Sequence, residues 1–296
     1  AEGDVDWAAF DAHVERTAAA GLTPAVNMDT GYGALLDPDE RRTVLDRTRR
    51  LLGPTEFVAG AYVDDEPGAA FEPEAHRRAL AECAEAGAVP IVFPCHGLAS
   101  LPDGAVADAH ATIGAGLDRF LAFELGPMFL PTGRIYSTAT YRALLDIDGL
   151  VGAKHSSLRR DLELTRLDLR DTHRPDFLVL TGNDLAIDMV VYGSDYLLGL
   201  STFAPDAFAR RDVAWAEGDE LAFWALNDLL QFLGQFAFRA PVPAYKHDAA
   251  RFLHLRGQIA TARTHPVSPT RPDADDAVLA QVLERLDDLL TPTGGP

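Results

Sequence analysis

A chain of 296 residues with 47% hydrophobic content is long enough to bury the core of one α/β barrel or of two smaller domains. Its formal net charge of −19, with no Lys/Arg-rich run to offset it, excludes a phosphate backbone or an anionic membrane surface as a natural partner. No apolar run approaches the roughly 20 residues that span a bilayer, the acidic start AEGDVDW lacks signal-peptide character, and Cys83 and Cys95 suit buried thiols better than a disulfide framework. A soluble, unexported protein of a reducing cytoplasm is expected.

In chain order, helical material over Asp6 to Ala20 precedes the first strand pattern, LTPAVN at Leu22 to Asn27. DPDERRTVLDRTRRLL then reads as a helix, with Asp37 as N-cap, Pro38 at the first helical position and acidic residues in the first turn. Further strand patterns follow: EFVAGAYV at Glu56 to Val63, AVPIVF at Ala88 to Phe93, RFLAFEL at Arg119 to Leu125 and LVGAK at Leu150 to Lys154. DFLVLTG at Asp176 to Gly182 and YLLGLST at Tyr196 to Thr202 complete the series. Short apolar runs alternating with amphipathic stretches are the pattern of βαβ units around a parallel sheet.

The expected fold is therefore an α/β (β/α)8 TIM barrel over residues 1–205. The last barrel helix and a C-terminal helical extension are expected over 206–296, where GDELAFWALNDLLQFLGQFAF and DADDAVLAQVLERLDDLL read as helices flanking a Pro-punctuated linker. Seven strands are visible where a closed barrel needs eight. The helical start implies that the missing strand is the N-terminal one, absent from the sequence or supplied by something unseen. There is no internal repeat, and no low-complexity tract beyond TPTGGP.

Of the 26 basic residues only Lys154 and Lys246 are lysines, and arginine does not form an imine at neutral pH. An amine-based mechanism has these two side chains, or the N-terminus, to choose from. Lys246, in APVPAYKHDAARF, stands at the start of a C-terminal helix and suits the surface. Lys154 ends the run LVGAK, where a buried strand meets its loop, and the C-terminal rim of a barrel carries the active site. Burial there lowers the amine's pKa and supplies the neutral nucleophile that attacks a ketone; a lysine snorkelling to solvent or paired with a carboxylate is the alternative. His155 and His96 lie near strand ends, yet no HxH, HExxH or Cys/His cluster accompanies them, so no metal and no cofactor is expected. Asp184, in GND, reads as a helix cap before an active-site carboxylate.

VGAKHSS resembles the G-I/V-K-D/E-S/A/T-S/T segment of the dihydrodipicolinate synthase/N-acetylneuraminate lyase family of class I aldolases. DVDWAAFDAHVERTAAAG is similar to that family's first helix. TGYGALLDPDERRTVL resembles its T-G-E stretch, and TGNDLAIDMVVYGSDYLLGLSTFAPDAF its later strand end, which places Ser201 at the substrate. The resemblance covers nearly the whole chain. It implies Lys154 as the Schiff-base lysine, pyruvate or another 2-keto acid as the small-molecule partner, carbon–carbon cleavage, condensation or dehydration as the reaction, and a homo-oligomer, dimer or tetramer.

Two departures bear on the chemistry. Met28-Asp29-Thr30-Gly31-Tyr32 stands where the family has G-T-T-G-E, putting a carboxylate in place of one relay hydroxyl and leaving Thr30 and Gly31 to bind the substrate carboxylate. The family's Y-N-x-P, whose tyrosine shuttles protons, matches Glu124-Leu125-Gly126-Pro127. Glu124 is then either an acid/base group with a raised pKa or a carboxylate paired with an arginine or facing water. Tyr136 is a competing proton shuttle. Arg134 is the candidate anchor for the keto-acid carboxylate, or else a solvated loop arginine. The competing reading is a catalytically silent barrel that binds a keto acid or regulates; a metal-dependent barrel hydrolase is the weakest.

Overall fold

The computed structural model describes residues 4–291. The chain divides into two compact units. One runs from Pro24 to Leu197; the other combines the segment up to Thr23 with the chain from Leu198 onward. This differs from the expected division at residue 205, because the N-terminal helix groups with the C-terminal helices.

The first unit carries seven strands: β1 (Ala25–Val26), β2 (Val58–Ala61), β3 (Val89–Val92), β4 (Phe120–Leu125), β5 (Leu150–Ser156), β6 (Leu178–Thr181) and β7 (Asp195–Tyr196). Each pairs in parallel with the next, in the order β1-β2-β3-β4-β5-β6-β7. Helices cross between them, among them Pro38–Leu52, Pro73–Glu85, Asp103–Gly114, Thr138–Leu144 and Arg160–His173. Sequential parallel strands with helical crossovers are the fold of the (β/α)8 barrel, with seven of its strands among the described residues. The Asp37 cap forms as its sequence requires. The Glu40 amide donates to the Asp37 carboxylate at 2.8 Å, and the Asp37 amide donates back to the Glu40 side chain at 2.9 Å.

Strand alternation sorts the side chains into two layers. Met28, Val89, Ile91, Phe93, Leu121, Phe123, Leu125 and Leu180 form one buried cluster on the inner face of the sheet. The outer face meets the crossover helices; Val179, for example, packs with Leu167 of the helix Arg160–His173. The strand expected over Tyr196 to Thr202 is a correction. β7 stops at Tyr196, and Leu200–Thr202 is a single 3-10 turn, closed by amide donation from Thr202 to Gly199 at 3.2 Å and from Phe203 to Leu200 at 3.0 Å.

The second unit is helical, with Trp7–Ala19, Pro205–Glu217, Glu220–Ala237, Tyr245–Leu255 and Asp275–Leu290. Fully buried Phe208, Phe223, Leu233, Phe252, Leu279 and Leu286 supply its core. Buried Arg271 donates to the carbonyls of Ala237, Arg239, Ala240 and Pro241, which fixes the approach to the helix Tyr245–Leu255. Lys246 lies at the start of that helix, half-buried, its ammonium 5.8 Å from the Tyr245 ring.

Candidate active site

Lys154 is the fifth residue of β5, in register with Phe123 of β4 and Leu180 of β6. Both neighbours belong to the inner cluster, so the lysine points inward. It is 8% exposed, and its Nζ stands 4.5 Å from the centre of the Phe123 ring. Burial pulls its pKa down from 10.5 to about 8, opposed by the carboxylates of Asp184 and Asp29. The side chain also needs a glycine beside it. A Cβ at Gly182 would stand 2.8 Å from Lys154 Cε and 2.0 Å from Ser156 Oγ, so no larger residue fits without displacement.

Asp29, Thr30 and Gly31 lie in a tight turn that follows β1, closed by amide donation from Gly31 and Gly33 to the Met28 carbonyl at 3.1 and 3.0 Å. Of the three, Asp29 is the residue whose charge acts on Lys154; the same charge, after burial, pushes the Tyr62 hydroxyl well above its ordinary pKa. Tyr62 continues the inner aromatic column. It stacks on Phe93 at 4.1 Å, Phe93 meets Phe123 edge-on at 5.3 Å, and the Tyr62 hydroxyl has no hydrogen-bond partner among the described residues. Asp184, read from the sequence first as a cap, is 4% exposed and is the leading charge acting on Lys154.

The expected proton carriers stand elsewhere. Glu124 is in register with His155, not with Lys154, and therefore faces the helices. The Arg166 guanidinium of the helix Arg160–His173 donates to it at 2.8 and 3.2 Å, His155 Nδ1 lies 2.7 Å away, and the Tyr136 amide donates at 2.8 Å. Burial alone would raise its pKa, but the bonds and charges of His155 and Arg166 hold it below the ordinary value. The expected raised pKa is thus reversed, and the arginine-paired alternative describes this residue. Tyr136 belongs to the same outer layer. Its carbonyl accepts from Arg166 at 2.6 Å, its ring meets His110 of the helix Asp103–Gly114 at 5.9 Å, and burial followed by the Glu124 charge raises its pKa.

The β4 residue opposite Lys154 is Phe123, which has no proton to give. Arg134 is also occupied: its guanidinium pairs with Asp103 and donates to the carbonyls of Leu101 and Ala99, which makes it a clamp on the segment 99–103. Ser201 lies in the helical unit, its hydroxyl donating to the Leu198 carbonyl at 2.8 Å.

No family profile matches the chain, and no curated protein is found similar to it. Solved structures share its fold. A dihydrodipicolinate synthase from Thermotoga maritima superposes with a TM-score of 0.80 at 18% identity, over 98% of this chain and 95% of that one. YagE, a prophage protein of the dihydrodipicolinic acid synthase family from E. coli K12 in complex with pyruvate, gives a TM-score of 0.81 at 16% identity, over 96% and 93%. A Ruminococcus gnavus sialic acid aldolase, studied as its catalytic lysine mutant, gives 0.76 at 14%, over 97% and 92%. At these identities the likeness establishes the fold.

Proposed function

We propose that this chain is a class I, Schiff-base lyase of the dihydrodipicolinate synthase/N-acetylneuraminate lyase family, with Lys154 as its nucleophile toward pyruvate or another small 2-keto acid. One observation carries the reading: the primary amine of Lys154 is held inside the sheet's inner layer with its pKa brought down to about 8, so an appreciable fraction is uncharged near neutral pH. The neutral amine attacks the ketone carbon, water leaves, and the protonated imine draws electrons from the adjacent carbon to give an enamine. Carbon–carbon cleavage, condensation or dehydration proceeds from there. Asp184 and Asp29, which favour positive charge on Lys154, stabilise the iminium in the same way, and Asp29 is the group assigned to accept the substrate proton. Thr30 and Gly31, in the Asp29 turn, are the assigned partners of the keto-acid carboxylate. The buried free thiols of Cys83 and Cys95 suit a reducing, cytoplasmic setting, and a dimer or tetramer remains the expected assembly.

Exchange of the pyruvate methyl protons in deuterium oxide, followed by NMR, tests this reading, because exchange requires the enamine. The protein should catalyse it and Lys154→Met should abolish it; equal exchange in both would overturn the assignment. A second reading, a barrel that binds a keto acid without turnover, is favoured by Phe123 standing where a proton carrier would face the lysine. It predicts imine formation without exchange.

A further inference from the structure

On the outer face of the same two strands lies a cluster that the Lys154 chemistry does not use. The Ser157 hydroxyl is 2.7 Å from His155 Nε2, and His155 Nδ1 is 2.7 Å from Glu124 Oε2. Glu124 is a carboxylate held below its ordinary pKa, so it accepts from His155 Nδ1; with Nδ1 protonated, Nε2 can accept from the Ser157 hydroxyl, for whose single proton the Arg159 carbonyl at 3.3 Å competes. Arg166 and the Tyr136 amide fix Glu124 from the other side. The Arg159 amide donates to Ser157 Oγ at 3.1 Å, a bond that favours the developing alkoxide. Glu163, on the helix with Arg166, is engaged by Thr181 and Ser194 at 2.9 and 2.7 Å and does not compete for His155. Ser157 occupies the strand-to-helix turn between β5 and Arg160–His173, and the next residue, Leu158, is held at φ 58, a conformation that leucine seldom adopts.

Nucleophile, base and orienting carboxylate in hydrogen-bonded sequence are recognised by geometry and not by position in a chain. We propose that Ser157, His155 and Glu124 form a second reactive centre, an acyl-accepting serine that takes acyl or phosphonyl groups from small activated esters. Ser157 Oγ attacks the acyl carbon or the phosphorus as His155 Nε2 takes its proton. The bond to the leaving group breaks, and the leaving oxygen of an ester, or the fluoride of a phosphonyl fluoride, departs with the electron pair and takes up that proton from His155. The product is an O-acyl Ser157 and the free alcohol, or an O-phosphonyl Ser157 and hydrogen fluoride. Ser157 is 5% exposed and His155 fully buried, so the centre admits only small donors, and one acylation per chain is the quantity to be counted. The centre is independent of imine formation at Lys154.

A fluorophosphonate probe tests this on the intact protein. The native chain should gain one phosphonate, mapped to the peptide containing Ser157. Ser157→Ala should gain none, His155→Gln should react at least about 100-fold more slowly, and protein unfolded in urea should not react. With p-nitrophenyl acetate, one equivalent of nitrophenolate should appear as a burst that Ser157→Ala lacks. An unlabelled native protein, labelling only at another residue, or equal labelling of the folded and unfolded chains would overturn the proposal.

Discussion

Replacing Lys154 by methionine should stabilise the protein, by an amount that depends on pH in a defined way. The lysine's pKa is about 8 in the folded chain against an ordinary 10.5. Between those values the unfolded chain binds the additional proton, so stability rises with pH there; below about 8 both states are protonated and the full penalty of burying the ammonium is present. At about 1.4 kcal/mol per unit, the penalty is about 3 kcal/mol at pH 7 and falls to about 1.4 kcal/mol at pH 9.5. Methionine is apolar, similar in length and compatible with the Phe123 face, so Lys154→Met removes the penalty without opening a large cavity. Urea unfolding of both proteins at pH 7 and pH 9.5 isolates the effect, since all other groups titrate in both. The stability difference should narrow by about 2 kcal/mol over that range. A difference independent of pH would refute a buried lysine with a lowered pKa.

Two further substitutions probe the layers around it. Glu124→Gln leaves the Arg166 guanidinium buried beside a neutral partner and should cost about 3–5 kcal/mol in urea unfolding. Because the Glu124 pKa is depressed by folding, its contribution is complete above its ordinary value of 4.5 and is lost as pH falls through the folded value, so the variant should lose less stability on acidification. Loss of proton exchange with no change in stability would contradict the outer placement of this residue. Gly182→Ala forces a methyl against Lys154 Cε and Ser156 Oγ; it should cost about 1–3 kcal/mol and slow imine formation, measured as the rate of adduct appearance, and an unaffected rate would show that the contact is dispensable.

Much of this architecture was legible in the residues. The short apolar runs give six of the seven strands near their observed places, and Asp37-Pro38 marks a helix start to the residue. YLLGLST resembles a strand in its apolar run, whereas amide bonds from Thr202 and Phe203 back to Gly199 and Leu200 coil its second half into a 3-10 turn. Lys154 stood out because lysine is so scarce. The companions of Lys154 were harder to read, for a physical reason. In FLAFEL only one of Phe123 and Glu124 can face inward, and the choice depends on parallel register with LVGAKHS, which no local signal encodes. The register pairs Phe123 with Lys154 and sends Glu124 to His155. Arg166 and Gly182 carry no local signal, because each matters through a neighbour distant in sequence or on another strand, and Ser157 reads only as a small residue beside the lysine strand; Asp184 reads as a cap, yet the next element is a 3-10 helix over Ile187–Tyr192 whose N-cap is Ala186.

The central claim is that one buried amine, and not the half-buried Lys246, reacts with a keto acid. Incubation with pyruvate and sodium borohydride, followed by intact-mass analysis and peptide mapping, reads this directly. A single reduced adduct on the Lys154 peptide, absent in Lys154→Met, is the expected result. An adduct on Lys246 or the N-terminus alone, or none with any of a panel of 2-keto acids, would contradict the account.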